Sequence, residues 1–394
     1  MVPQIGITWT PVIDSSNGTI YLVSKTKENG SSVQKLHAID MATHAEKFGG
    51  PVTITASVPG TGGGTISFNP VNANQRAGLL LQNGHIIIGW GSHCDNLPFH
   101  GWIMSYNATT LAQEAVLCPV PSGTTVTTAG GTVWMGGAGV AADANYFYPA
   151  TGNGDYNGSK DYGDTILRLG SPSGGSFPTP TQWFTPYDQA SLNTNDVDLG
   201  SGGVLLLPDL PSGSTHQQLL VQVGKAGTIY LIDRNNMGKF CSGCTSDAQI
   251  VQEIPGAIRG MWGMPAYWNG NVYFGGADDG GTDDTLKAFS FNANNTGLLS
   301  TSPTSHTTHV FTFSGPTPSV SANGNTTGIL WALENNTFAS SCCQVLHAYN
   351  AANLGTELFN TNQAANSPGC SRRGSEVHGS HRRERESIWD RKRL

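Results

Sequence analysis

The chain reads as a succession of short strands. Apolar residues come in brief runs, alternating with polar ones or continuous, each with Gly or Asn just before it. Each run is followed by a second that leads into a polar turn. "GTIYLVSKT" leads to "KLHAIDMATHAEKF", "GHIIIGWGS" to "WIMSYNATTLAQEAV", and "NYFYPATGNG" to "TILRLGSPSG". "KAGTIYLIDRNNMGKF" compresses the pair into one stretch. "NGNVYFGGADDG" then leads to "TLKAFSFNANNTG", and "TTGILWALENN" to "VLHAYNAANLGTELF", which makes six units. No window carries a sustained helical period, so the pattern predicts a nearly all-β protein.

A strand-turn-strand signature recurring every 40 to 60 residues or so predicts the blades of a β-propeller, in which each small sheet buries its faces against its neighbours. A β-sandwich is the alternative, but it would not need a repeated signature. Three units also begin with an opening strand of shared pattern: a proline, a short apolar stretch and a glycine turn. These are "TPVIDSSNGTIYLV" from Thr10, "MPAYWNGNVYFG" from Met264 and "TPSVSANGNTTGILWA" from Thr317.

Composition supports many turns joining short strands, with 51 Gly, 21 Pro and only 12% charged residues in 394. A net charge of -7 gives no general case for nucleic-acid binding. No apolar run reaches the length needed to span a bilayer, which predicts a soluble protein. The opening "MVPQIGITWTPVID" lacks the basic and apolar regions of a signal peptide. Seven cysteines are odd in number and too sparse for a disulfide scaffold. Cys241 and Cys244 form one isolated CxxC with no second pair at zinc spacing, which predicts a local disulfide in an oxidising compartment.

The closing stretch, residues 370–394, does not match the rest. It holds 8 of the 20 basic and 4 of the 27 acidic residues, so the body carries -11 and the tail +4. A basic run can be an interaction tail that neutralises phosphates. Back-translation of residues 369–392, read one nucleotide downstream, yields a string containing "VPTVANGKVY", which is the chain's own opening-strand pattern. The tail is therefore read as a frameshift product, with a disordered basic tail as the alternative. Gene sequencing decides between them.

The repeat, together with "KAGTIYLIDR" and "ATGNG", resembles the β-propeller family of quinoprotein dehydrogenases, which bind pyrroloquinoline quinone. The likeness spans about residues 6–365 as a fold. It implies a quinoprotein-like β-propeller with six recognisable blades of an incomplete eight-bladed ring. Residues 1–369 would form one propeller domain, truncated at its N-terminus relative to the family and lacking a final strand. Such a chain would leave a sheet edge open and be marginally stable. The family also implies a periplasmic or extracellular location.

In the enzymes a metal ion, Ca²⁺ or a lanthanide, polarises the quinone while an aspartate takes the alcohol proton, which calls for hard oxygen ligands and a positioned base. The family's ligand Asn lies at the end of a "GTGN" strand, and "ATGNG" puts Asn153 there, although a Gly-Asn-Gly turn is also ordinary hairpin chemistry. A Trp-Asp-x-Asp-Gly segment carries the base and a further ligand. "NDVDLG" offers Asp196 and Asp198 in that order, with Asn195 in place of the tryptophan. In an extended segment their carboxylates would share a face and one cation, or they are solvated loop acids. Lys225 ahead of "GTIYLIDR" matches the basic residue against the quinone, though a strand-end lysine is commonly solvated. Asp95 stands where the family has a glutamate ligand, and Trp134 lies one residue from the indole beneath the quinone, unless it packs between blades. Cys342-Cys343 resembles the family's vicinal disulfide, but in the wrong blade.

"GTGGG" from Gly60 has no helix to present phosphate-binding amides and reads as a loop. HExxH and GxSxG are absent, and the eleven histidines are scattered. Two functions remain: a non-catalytic propeller that binds a small molecule or a cell-exterior protein with or without a cofactor, and a quinone- and metal-dependent dehydrogenase of alcohols or sugars. The second requires Asn153, Asp196 and Lys225 to converge.

Overall fold

The structure, a computed structural model, describes residues 6–122, 130–278, 283–334 and 344–363. Cys342, Cys343 and the basic tail lie outside the described residues. Two compact units divide the chain: Met1–Leu206 with Asn236–Gln249, and Leu207–Asn235 with Ile250–Leu394.

The first unit contains three antiparallel sheets. Val12–Asp14, Thr19–Glu28, Ser31–Asp40 and Val52–Thr53 pair in chain order. Ala73–Gln75, His85–Ser92, Trp102–Asn107 and Gln113–Leu117 form the second, with Leu80–Gln82 also paired to His85–Ser92. The third comprises Ala141–Ala142, Tyr146–Tyr148, Ile166–Gly170 and Gln182–Phe184. A separate hairpin pairs Ser57–Pro59 with Thr65–Ser67, and the "GTGGG" segment is its turn. Alternation places the core: in Ser31–Asp40 the buried positions are Gln34, Leu36 and Ala38, every second residue. Leu36 and Ala38 join Ile86, Ile88, Trp90, Trp102 and Met104 in one apolar cluster.

The second unit repeats the plan. Leu219–Val223, Ile229–Asp233 and Gln252–Ile254 pair in order. Ala266–Trp268, Asn271–Gly275, Asp284–Ser290 and Ser305–Phe311 form the next sheet. Ser319–Asn323, Thr326–Leu333, Leu346–Asn350 and Glu357–Asn360 form the last. Tyr273, Leu286, Phe311, Leu330 and Tyr349 make its core. The three proline-led opening strands are therefore present as Val12–Asp14, Ala266–Trp268 and Ser319–Asn323.

Small antiparallel sheets of consecutive strands, with almost no helix among the described residues, make this an all-β protein of β-propeller type. One unit differs from the expectation. "KAGTIYLIDRNNMGKF" supplies a single strand, Ile229–Asp233, and its partner is the preceding Leu219–Val223. That strand is buried at every position, as Ile229–Asp233 is, and it is preceded by Gln217 and Gln218 where the other runs have Gly or Asn.

Lys25 lies inside this β framework, only 6% exposed, with its Nζ donating to the carbonyls of Val71 (2.9 Å) and Ala73 (3.0 Å). Burial disfavours the ammonium and lowers its pKa from 10.5 to about 8. The unfolded chain therefore binds more protons than the folded one between those values, and the stability penalty shrinks as pH rises through that window. A Lys25→Met chain lacks the effect, so its melting temperature relative to the parent should fall between pH 8 and pH 10, as thermal melts across that range would show.

Candidate functional site

The turn "ATGNG" is fixed by backbone bonds. Gly152 N–H donates to Thr132 O, Gly131 N–H to Asn153 O, and Asp164 N–H to Gly152 O, at 2.7–2.8 Å. Opposite it runs the short helix Gln189–Thr194, closed at its C-terminus by Asp196 in the left-handed region (φ 57°) and by Val197 N–H donating to Leu192 O at 3.0 Å. This is a Schellman closure. Asp196 and Asp198 thus leave a helix end, not the extended segment expected. Asp198 is buried, and Asp196 is exposed.

Both aspartates nevertheless meet Asn153. Its backbone N–H donates to Asp198 Oδ1 at 2.8 Å, and its side-chain Nδ2 donates to Asp196 Oδ1 at 2.7 Å. The amide is thereby oriented, and its Oδ1 is left buried with no hydrogen-bond donor. Trp134 adjoins the cluster: a Cβ built on Gly152 would lie 2.1 Å from Asp198 Oδ1 and 3.1 Å from Trp134 Cδ1. The Arg76 guanidinium lies over the Trp134 ring at 5.1 Å and over Trp9 at 4.6 Å.

Asp95 stands apart. It follows the strand His85–Ser92, is exposed, and accepts a hydrogen bond from Ser92 Oγ. Among the described residues, the sets of three His, Cys, Asp or Glu side chains whose ligand atoms all lie within 4.8 Å do not include Asp95, Asp196 and Asp198 together. Lys225 belongs to the second unit, half-buried in the turn before Ile229–Asp233. Cys241 and Cys244 form the local disulfide expected of them. A cleft of ≈ 250 Å³ in the first unit is lined by Val58, Cys118, Tyr162 and Phe177 among others, and by none of the residues above.

A second cluster escaped the sequence reading. His309, Glu334 and His347, all in the second unit, have ligand atoms within 4.8 Å of one another. The His309 and His347 rings lie 4.4 Å apart, and His347 Nδ1 is 2.6 Å from Glu357 Oε1. Beside these imidazoles, chiefly His347, Glu334 ionises below its usual range. Burial opposes the charge on His347, but the carboxylates of Glu334 and Glu357 outweigh it and raise its pKa. A signal did exist in the sequence: "LHAID" and "LHAYN" place one histidine at the same point of two repeats.

No family model matches the chain, and no curated protein matches it. Solved structures do. A quinohemoprotein alcohol dehydrogenase of Pseudomonas putida HK5 is 13% identical, covering 87% of this chain and 57% of its own, with a TM-score of 0.49. A europium-containing methanol dehydrogenase is 12% identical, covering 89% and 61%, with a TM-score of 0.43. Sqt1 of Chaetomium thermophilum, bound to the N-terminus of the ribosomal protein L10, is 11% identical, covering 91% and 75%, with a TM-score of 0.46. The chain thus spans about three fifths of each dehydrogenase. Its own sheets define the fold, and a fold does not by itself fix a function. No helix among the described residues is long and apolar enough to cross a membrane.

Proposed function

We propose that this protein is a non-catalytic binding propeller whose first unit holds a hard cation, Ca²⁺ or a lanthanide, between Asn153, Asp196 and Asp198. The observation that carries this reading is the Asn153 amide. Its nitrogen is committed to Asp196, and its oxygen is buried without a donor beside two carboxylates. An amide oxygen with two carboxylates is the donor set that hard cations select, so these residues fit such an ion. The Cys241–Cys244 disulfide supports an oxidising setting, periplasmic or extracellular.

The dehydrogenase reading draws on Trp134, which adjoins the same cluster. Bound there, a quinone would supply the electron sink for alcohol oxidation. Of this chain's residues, the exposed Asp196 would take the alcohol proton. Two observations favour binding over catalysis. A guanidinium already lies over Trp134, and the predicted base is engaged by Asn153.

Terbium luminescence tests the proposal, because Trp134 lies close enough to sensitise an ion held by Asp198. The full chain should show saturable emission that Ca²⁺ displaces. Asp196→Ala, at an exposed position, should weaken terbium binding by about tenfold or more, which is ~1.4 kcal/mol. Trp134→Phe should lose emission while keeping affinity by calorimetry. No saturable emission, or equal affinity in Asp196→Ala, would refute the site. Pyrroloquinoline quinone that binds the Ca²⁺-loaded chain and supports dye-linked alcohol oxidation would establish the second reading instead.

A further inference from the structure

The geometry points to a site for a first-row divalent transition metal, zinc by its donor chemistry, formed in the second unit by His309, Glu334 and His347, with Glu357 orienting His347. It is separate from the hard-cation cluster, and its donors come from two sheets. His309 lies on Ser305–Phe311, Glu334 follows Thr326–Leu333, and His347 lies on Leu346–Asn350. A bound ion would therefore tie the last two sheets together.

The distances suit an ion. His309 Nε2 lies 3.6 Å from Glu334 Oε1, and His347 Nε2 lies 3.6 Å from Glu334 Oε2. Both separations exceed hydrogen-bond reach. Two donors each about 2.1 Å from a tetrahedral ion sit roughly 3.4 Å apart, close to what is seen. Both Nε2 atoms are buried and lack a hydrogen-bond partner, although His347 is 4% exposed and Glu334 9%. Two buried imidazole nitrogens face one carboxylate at 3.6 Å, ion-pair distance but beyond a hydrogen bond, and a cation fits between them. Each carboxylate oxygen faces one imidazole, so two nitrogens and one carboxylate oxygen supply three protein donors and leave the fourth tetrahedral position to water.

The first sheet provides an internal control. There, "LHAID" places His37 opposite Leu22, as "LHAYN" places His347 opposite Ala332. His37 Nδ1 meets Glu46 Oε1 at 2.5 Å, as His347 Nδ1 meets Glu357 Oε1 at 2.6 Å. The histidine–glutamate pair is thus a feature of the repeat. The difference is at the other nitrogen. His37 Nε2 is satisfied by Ser24 Oγ at 2.8 Å, and Ser24 stands two residues beyond Leu22. Two residues beyond Ala332 stands Glu334, which carries a charge where the first sheet has a hydroxyl. His309 then arrives from the neighbouring sheet. Glu357 against Nδ1 fixes the tautomer that leaves Nε2 free to ligate, the arrangement of carboxylate–histidine–metal sites; Tyr349 Oη, 3.3 Å from the same nitrogen, completes that shell.

The test uses the full chain, stripped with a chelator and titrated with Co²⁺ and Zn²⁺. Co²⁺ should give the intense visible bands of a four-coordinate site at one equivalent, Zn²⁺ should displace it, and Zn²⁺ should raise the melting temperature. His309→Gln, at a half-buried position, should keep the circular dichroism spectrum and lose the cobalt bands. Glu357→Gln should weaken zinc binding by about 10- to 100-fold, as outer partners do. Histidines elsewhere in the chain would bind with undiminished affinity in His309→Gln, and that result would overturn the assignment. So would a stripped parent chain that develops no tetrahedral cobalt spectrum. Should His309→Gln misfold, the cobalt spectrum of the parent chain, read alongside His44→Gln as a control histidine, still decides the question. Terbium, a hard ion, reports only on the first unit, so failure of either site is read separately.

Discussion

Replacing Trp90 with alanine is expected to destabilise the first unit by about 3–5 kcal/mol, the usual cost of deleting a fully buried aromatic side chain. Trp90 is 0% exposed toward the C-terminal end of the longest strand of its sheet, where it meets Phe68 edge-on at 5.4 Å. Its Nε1 also donates to Gln34 Oε1 at 2.9 Å, and Gln34 is itself 1% exposed, with its Nε2 donating to the carbonyl of Ala73. Alanine therefore opens a cavity and strands a buried amide oxygen, a penalty of about 1–3 kcal/mol on its own. Trp90→Phe separates the two effects, since it restores most of the apolar volume but not the donor. Urea denaturation should rank the parent above Trp90→Phe and Trp90→Phe above Trp90→Ala. Equal midpoints for parent and alanine variant would show that this strand is not part of the cooperative core.

The residues that make this core were legible from sequence because they form apolar runs led by glycine. "GHIIIGWGS" and "WIMSYN" carry both the apolar run and the glycine lead, and they became the paired strands His85–Ser92 and Trp102–Asn107. Leu219–Val223 was missed for a physical reason. Its lead residues are Gln217 and Gln218 in place of the Gly or Asn that opens the other runs, so nothing marked its start. The helix Gln189–Thr194 is under two turns long, too short for a 3.6-residue period to stand out. Its omission mattered, since that helix sets the backbone leading to Asp196 and Asp198. Both nevertheless hydrogen-bond to Asn153, one through its backbone and one through its side chain. Of the His309, Glu334 and His347 cluster only His347 had a signal, the histidine shared by "LHAID" and "LHAYN". One ligand per strand, drawn from neighbouring sheets, looks like scattered histidines until the register is known.

Gly152→Ala is the sharpest link between fold and candidate site. A methyl at this position would stand 2.1 Å from Asp198 Oδ1, far inside contact distance, and 3.1 Å from Trp134 Cδ1. The carboxylate cannot simply turn away, because the same oxygen accepts the Asn153 backbone N–H at 2.8 Å and Asp198 is 6% exposed. Nor can the turn shift freely, since Gly152 N–H is held by Thr132 O and its carbonyl by Asp164 N–H. Relief must come by breaking the Asp198–Asn153 bond, with an overpacking cost of about 1–3 kcal/mol. Terbium affinity should therefore fall by more than the tenfold or so expected of Asp196→Ala, a threshold of ~1.4 kcal/mol. Zinc binding in the second unit should stay unchanged. A Gly152→Ala chain that binds terbium as the parent does would show that Asp198 is no ligand, and that Asn153 and Asp196 hold the ion without it.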